Sequence, residues 1–315
     1  MVLIPILLIA AGLTVVVLCA DEAIKRLLNI ARFFRLSEFT TSFVLAGVIA
    51  ILPELTIGVV AALSGSSSLG YGVIIGSNVI DLTLIVGVVV LYSGKLTLDS
   101  AMIKNIRMSF LAVILPVVLF FDLEISRLDG VILIAAFAVY VTVLLRNKRD
   151  GEATQGKRAK LRFIFEFAIL LVSLAILFAG ATLVTNNAQE VSLLLGLPLF
   201  VVGVVVAVGT CLPELVFALR ACNKKHCGLG LGNILGNVLA DSMLTIGIIA
   251  LIQPIKPTFP LPPLATGLVM AVSALIVYWV SRDGVLDRKN GALLLGVFVG
   301  FLVMQAVIET FKLAI

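Results

Sequence analysis

Ten apolar stretches of this chain read as candidate bilayer spans, at about 2–20, 40–63, 70–93, 106–121, 129–146, 163–185, 197–220, 229–252, 262–281 and 292–310. A hydrocarbon core of about 30 Å takes about 20 residues of helix. Inside it every backbone N–H and C=O must be satisfied by the protein, so only helices or a closed barrel span. Barrel strands alternate in polarity over about ten residues, and runs such as Val201-Val202-Gly203-Val204-Val205-Val206 do not. The pattern predicts an all-α membrane protein with ten transmembrane helices. Composition agrees: 61% of residues are hydrophobic and 13% charged, against about 25% charged in ordinary soluble domains.

Basic residues orient the spans, because loops on the cytoplasmic face carry an excess of Lys and Arg. Over ten spans, 20 of the 23 Lys and Arg residues fall on one face, including the cluster from Arg146 to Arg162; only Arg127, Lys256 and Lys312 fall on the other. Both termini are therefore expected outside. The same residues account for the net charge of +5 as topology anchors, with no nucleic-acid partner required. The first 20 residues lack the basic start of a cleavable signal. Cys222, His226 and Cys227 lie beside Lys224 and Lys225, which disfavours a bound cation, so this reads as a solvated basic loop.

Four carboxylates sit within the apolar stretches, in two copies of one pattern. Leu52-Pro53-Glu54-Leu55 is followed by Asp81, and Leu212-Pro213-Glu214-Leu215 by Asp241, each Asp 27 residues after its Glu. An ionisable group at the bilayer centre costs about 2.5–3.5 kcal/mol on insertion scales, so such groups mark ion pathways. A shift of 160 residues superposes Gly70, Gly72, Gly76, Asp81, Leu84 and Gly87 on Gly230, Gly232, Gly236, Asp241, Leu244 and Gly247 without a gap. The hydrophilic stretch near the middle divides the chain into a first five-helix repeat (1–147), a cytoplasmic linker (148–161) and a second five-helix repeat (162–315). Five spans per half is odd, so the halves are expected to be inverted, a signature of secondary transporters whose site lies near the midplane.

Proline lacks an N–H and crowds the carbonyl four residues back. Pro53 and Pro213 are thus expected to free the carbonyls of Ile49 and Gly209 and to turn those of Ala50 and Thr210 inward, beside the following Glu. Oxygen ligands without His or Cys suit a hard cation. Ca²⁺ takes about six to eight oxygens in flexible geometry, and two carboxylates with two carbonyls fit it. The glycines before each Asp are expected to let the third span approach the second, and the eighth the seventh. Ser77, Asn78, Asn233 and Asn237 read equally as ligands and as interhelical hydrogen-bond groups.

At these residues the chain resembles the calcium/cation antiporter superfamily, which contains the Na⁺/Ca²⁺ exchangers. Gly209-Thr210-Cys211-Leu212-Pro213-Glu214 is similar to that family's G-T-S-L-P-E. Gly232-Asn233-Ile234-Leu235-Gly236-Asn237-Val238-Leu239-Ala240-Asp241 is similar to its G-N-x-x-G-S-N-x-x-D. The first half keeps Leu52-Pro53-Glu54 and Gly76-Ser77-Asn78-Val79-Ile80-Asp81. The resemblance implies alternating access, not an enzyme. It implies Ca²⁺ at Glu54 and Glu214 with the carbonyls of Ala50 and Thr210, and Na⁺ at oxygens of Gly47, Ser77, Ala207 and Thr210. Asp81, Asp241 and Asn237 complete the candidate metal set. No resident cofactor is implied, only the transported Ca²⁺ and a counter-transported monovalent cation. Short loops fit a prokaryotic cell membrane.

Several positions depart from the family pattern. Ile49-Ala50-Ile51 stands where G-T-S is common, Cys211 replaces a serine, and Asn237 stands where serine is usual. Asp81 occupies a position that is Asn in many Na⁺/Ca²⁺ exchangers. Two couplings therefore stay open: Na⁺, which the remaining hydroxyls favour, and H⁺, with Asp81 as the carrier. A channel is the weaker third reading, since inverted halves give one pseudo-twofold site and no ring of filter ligands.

Overall fold

The computed structural model describes residues 2–33, 51–98, 100–145, 157–223 and 227–313. Among them the helices run α1 (Leu3–Phe33), α2 (Leu52–Leu63), α3 (Ser67–Ile80), α4 (Val86–Ser93), α5 (Ser100–Leu119), α6 (Arg127–Leu145) and α7 (Lys157–Leu195). They continue as α8 (Leu199–Thr210), α9 (Leu212–Asn223), α10 (Cys227–Ala240), α11 (Ile246–Ile252), α12 (Leu261–Val280) and α13 (Arg288–Leu313). Seven segments are long and apolar enough to cross a membrane, three of them compound: Ser67–Ser93 (α3–α4), Leu199–Asn223 (α8–α9) and Gly230–Ile252 (in α10–α11). The other three expected spans are helical where described, as α2 within 40–63 and as α5 and α6 over 106–121 and 129–146. Residues 157–161, which the sequence assigns to the linker, are the first turn of α7.

Burial sorts these helices into a centre and a flank. The Ser67–Ser93 segment is 89% buried and Gly230–Ile252 72%, whereas Leu3–Ala20 of α1 is 22% and Ile164–Leu195 of α7 33%. The two segments carrying the Asp residues therefore form the core, and α1 and α7 pack on each other with most of their surface outward. Their crossing is close because it is made at glycines: a Cβ on Gly12 would stand 3.0 Å from the Gly180 carbonyl oxygen. Beyond it, Arg26 of α1 donates to Glu166 of α7 at 3.0 Å and to Glu22 on its own helix, and Asn29 donates to Glu166 at 3.1 Å. From the sequence, Lys25 and Arg26 are expected to pair four residues back with Asp21 and Glu22 at a solvated helix end. Arg26 does pair with Glu22, Lys25 also reaches Glu22, and Arg26 ties two helices together as well.

The glycines partly follow expectation. Gly70 meets Gly58 of α2, where a Cβ would lie 3.0 Å from Gly58 Cα, and Gly230 likewise meets Ala218 of α9. Gly72 and Gly76 do not serve that contact. They face α8 of the other half, where a Cβ on Gly72 would fall 2.1 Å from the Phe200 carbonyl oxygen and one on Gly76 2.9 Å from Val204 Cα. Gly203 returns the approach, its Cβ position lying 2.3 Å from the Leu69 carbonyl oxygen. Glycine on both helices lets two backbones touch, so the third span is locked across the halves as well as within its own.

Two short strand pairings bracket this core. Lys95–Thr97 (β1) pairs antiparallel with Val285–Asp287 (β2), Leu96 opposite Leu286, and Ile125 bridges Ile255. Helices α5 and α12, 20 residues each, separate the two pairings along the chain, which at about 1.5 Å per residue puts them about 30 Å apart.

Candidate cation site

Both deep Asp residues open a π-helical turn: Asp81–Ile85 between α3 and α4, and Asp241–Thr245 between α10 and α11. A single π turn inside an α-helix widens the backbone and is frequent at functional sites. Neither turn is legible from residue type, yet they fall at positions related by the 160-residue shift. The Glu residues are placed differently. Pro213 has no N–H, so helix α8 stops at Thr210 and α9 restarts at Leu212, which puts Glu214 in the first turn of a new helix. Glu54 likewise lies in the first turn of α2, with Pro53 beside it.

Glu54, Asp81 and Asp241 are fully buried and Glu214 is 6% exposed. Each acid has unused acceptor capacity: both oxygens of Glu54, Oδ1 of Asp81, Oε2 of Glu214 and Oδ2 of Asp241 meet no hydrogen-bond donor. Buried polar atoms are nearly always paired, so these orphaned oxygens are acceptor capacity that the fold leaves unused.

Hydrogen bonds across the halves and within them hold this region in position. Asn237 of α10 donates to Asp81 Oδ2 at 3.3 Å, and Asn78 of α3 donates to the Ser242 hydroxyl at 3.0 Å. Thr245 donates to Asp241 Oδ1 at 2.8 Å. Asn78 and Asn237 therefore act as interhelical hydrogen-bond groups, each keeping a carbonyl oxygen unpaired. Asn233, unlike them, is only half-buried. Sequence reasoning missed Ser242 and Thr245. The signal for Thr245 was its place four residues after Asp241, on the same helix face.

The expected hydroxyl and carbonyl ligands are partly engaged. The Ser77 hydroxyl donates to the Ile74 carbonyl at 2.9 Å, and the Thr210 hydroxyl donates to the Ala207 carbonyl at 3.1 Å. That Ala207 carbonyl also accepts the Cys211 N–H at 3.0 Å. Gly47 and Ala50 lie outside the described residues. Among the described residues no three His, Cys, Asp or Glu side chains converge tightly enough to cage a metal by themselves. Backbone and hydroxyl oxygens would have to complete any coordination shell.

The chain matches the family of sodium/calcium exchanger proteins over residues 4–146 and 165–307, nearly its whole length and once in each half. It belongs to that family. This exchanger-family chain is 24% identical over 349 residues to the sodium/calcium exchanger MaX1 of Methanosarcina acetivorans, covering 96% of this chain and 99% of that one. It is 25% identical over 274 residues to an uncharacterized membrane protein of Methanocaldococcus jannaschii, covering 86% and 88%. In structure it is similar to the sodium-calcium exchanger NCX_Mj soaked with Na⁺ and Sr²⁺, with a TM-score of 0.65 and 25% identity over 96% of this chain and 99% of that chain.

Cys222 and Cys227 carry no bound-metal geometry in this exchanger-family chain: they form a disulfide between α9 and α10, and Cys222 is buried. That differs from the solvated loop expected there, whose residues 224–226 lie outside the described set. Cys211 is buried and free, and its thiol approaches the Ser77 carbonyl at 3.8 Å.

Proposed function

We propose that the protein is a secondary antiporter exchanging Ca²⁺ for Na⁺ by alternating access, with Glu54 and Glu214 meeting the dehydrated Ca²⁺. The observation that carries this reading is the pair of buried Glu residues at helix starts with unpaired carboxylate oxygens, one from each half. The carbonyls of Ala50 and Thr210 complete the Ca²⁺ shell, and Gly47, Ser77, Ala207 and Thr210 supply oxygens to Na⁺. Sodium entry requires the Thr210 hydroxyl to release the Ala207 carbonyl. Asp81, Asp241 and Asn237 line the same centre.

An inverted pair of five-helix halves is supported by the strand pairings. Lys95 and Ile255 are equivalent under the 160-residue shift, as are Ile125 and Val285. Yet Lys95 belongs to one pairing and Ile255 to the other, with α5 and α12 intervening. Equivalent positions at opposite ends of the bundle are what inversion requires. In this reading the α1–α7 pair, closely crossed and tied by Arg26 to Glu166, rocks as one unit against the other eight spans. Both termini face outside.

Proton coupling is the second reading, and one observation favours it: Asp81 Oδ1 lacks a partner while Asn237 fixes Oδ2, leaving one oxygen to take up a proton. Radiolabelled Ca²⁺ uptake into proteoliposomes under separate Na⁺ and pH gradients tests the two. Uptake driven by outward Na⁺ and insensitive to a pH gradient supports the first; the reverse supports the second.

A further inference from the structure

Thr245 closes the π turn that Asp241 opens, and it is fully buried. A threonine inside a helix commonly gives its hydroxyl to the carbonyl four residues back. Thr14, Thr56, Thr83, Thr142, Thr182 and Thr266 all do so. Thr245 instead donates to the carboxylate of the residue four back, reaching Asp241 Oδ1 at 2.8 Å. It sits where the π turn has widened the helix, the Asp241 carbonyl accepting the Ile246 N–H five residues on. Its methyl group faces α2, where a Cβ on Gly58 would lie 3.9 Å away. Gly58 is one turn beyond Glu54, so Thr245 stands between Asp241 and the helix that carries the first Glu.

The internal repeat makes this bond informative. Under the 160-residue shift Thr245 corresponds to Ile85, which has no donor, and Asn237 corresponds to Ser77, whose hydroxyl is spent on the Ile74 carbonyl. Each half lacks the other's device. Both Asp residues nevertheless reach one arrangement: Oδ1 of Asp241 takes a donor from Thr245, Oδ2 of Asp81 takes one from Asn237, and the remaining oxygen of each meets none. Unlike residues converging on the same result point to the result itself, a carboxylate pinned by one oxygen with the other left to accept.

We propose that Thr245 is a positioning residue for cation binding: by holding Oδ1 it fixes the Asp241 carboxylate so that Oδ2 alone is presented to the cation. The inference rests on the cation-exchange reading of this site. It adds a residue that acts through Asp241 and touches no cation itself.

Two substitutions separate the hydroxyl from the methyl. Thr245→Val keeps the shape and the methyl and loses the donor, whereas Thr245→Ser keeps the donor and loses the methyl. Full-length wild type and both variants are purified in detergent, and equilibrium binding of radiolabelled Ca²⁺ is measured beside the melting temperature in Ca²⁺-free buffer. Hydrogen bonds to charged groups are among the stronger ones, so Ca²⁺ affinity is expected to fall by about fivefold or more in Thr245→Val and to stay within about twofold of wild type in Thr245→Ser. A packing role predicts the opposite order, with the serine variant weakened and the valine variant unchanged. That order, equal affinity in all three proteins, or a serine variant as weak as the valine variant overturns the proposal. Should Thr245→Val fail to fold, Thr245→Ala set against Thr245→Ser makes the same comparison. Wild-type protein that binds no Ca²⁺ defeats the exchange reading together with the proposal, whereas wild-type binding with an unaffected valine variant defeats the proposal alone.

Discussion

Asn237 Nδ2 lies 3.3 Å from Asp81 Oδ2, so an amide from the second half holds a carboxylate of the first at the centre of the molecule. An amide N–H suits an accepting carboxylate oxygen and leaves Oδ1 for a cation or a proton. Asp81→Asn separates the two couplings. With Na⁺ as the driving ion, Ca²⁺ uptake on a Na⁺ gradient is expected to survive, because an amide oxygen still accepts and coordinates. With H⁺ as the driving ion, pH-driven uptake is expected to vanish, since an amide releases no proton in the accessible range. Flux measured under each gradient in turn reads the outcome.

Glu54→Gln and Glu214→Gln each remove a negative charge from a fully or nearly fully buried position. Ca²⁺ affinity depends on ligand charge, so either change is expected to lower it by about a hundredfold or more. The neutral side chains are similar in size, and size-exclusion elution and the melting temperature are expected to stay near wild type. Equilibrium binding of radiolabelled Ca²⁺ to the purified variants checks this.

Close backbone contact between α3 and α8 leaves no room for a methyl group at Gly72. Gly72→Ala would drive a Cβ to 2.1 Å from the Phe200 carbonyl oxygen, and overpacking of this kind typically costs about 1–3 kcal/mol. Gly296 in α13 has nothing within 4 Å among the described residues. Gly296→Ala is therefore expected to be neutral or to gain up to about 1 kcal/mol from helix propensity. Thermal unfolding in detergent compares the two.

Which of these features were visible in the residues follows from what each depends on. Apolar length and the Leu-Pro-Glu repeat mark the spans and the deep acids because both rest on local chemistry: hydrocarbon excludes charge, and proline denies a hydrogen bond. The crossing of Gly72 and Gly76 against Phe200 and Val204 was misassigned to the neighbouring span. Glycine spacing says that something approaches closely and does not say what. The π turns at Asp81 and Asp241 were invisible because their extra residue changes no residue pattern. Arg26 looked like a local helix-end pair, since Glu166 lies 140 residues away and only folding brings it near.

The α1–α7 tie gives a separate expectation. Arg26→Met removes the donor to a mostly buried Glu166 while preserving side-chain bulk, and is expected to lower the melting temperature and slow Ca²⁺ exchange. Equilibrium Ca²⁺ affinity should hold, because no site residue is touched. A fall in affinity as large as the fall in rate would place Arg26 at the site instead.

Orientation is read through Cys222 and Cys227. Joined as a disulfide, they are expected to resist an impermeant maleimide until reduced. After reduction they should label only from the face that carries most Lys and Arg, the cytoplasmic one. Labelling from outside in intact cells would reverse the assigned topology.

Radiolabelled Ca²⁺ flux in proteoliposomes tests the exchange mechanism most directly, with wild-type protein and Glu54→Gln run side by side. Na⁺-loaded vesicles diluted into Na⁺-free buffer at equal pH are expected to accumulate Ca²⁺ through the wild type and not through Glu54→Gln, and to release it when external Na⁺ is restored. Ca²⁺ entry that ignores the Na⁺ and pH gradients alike, or that persists unchanged in Glu54→Gln, would contradict an exchanger centred on these carboxylates.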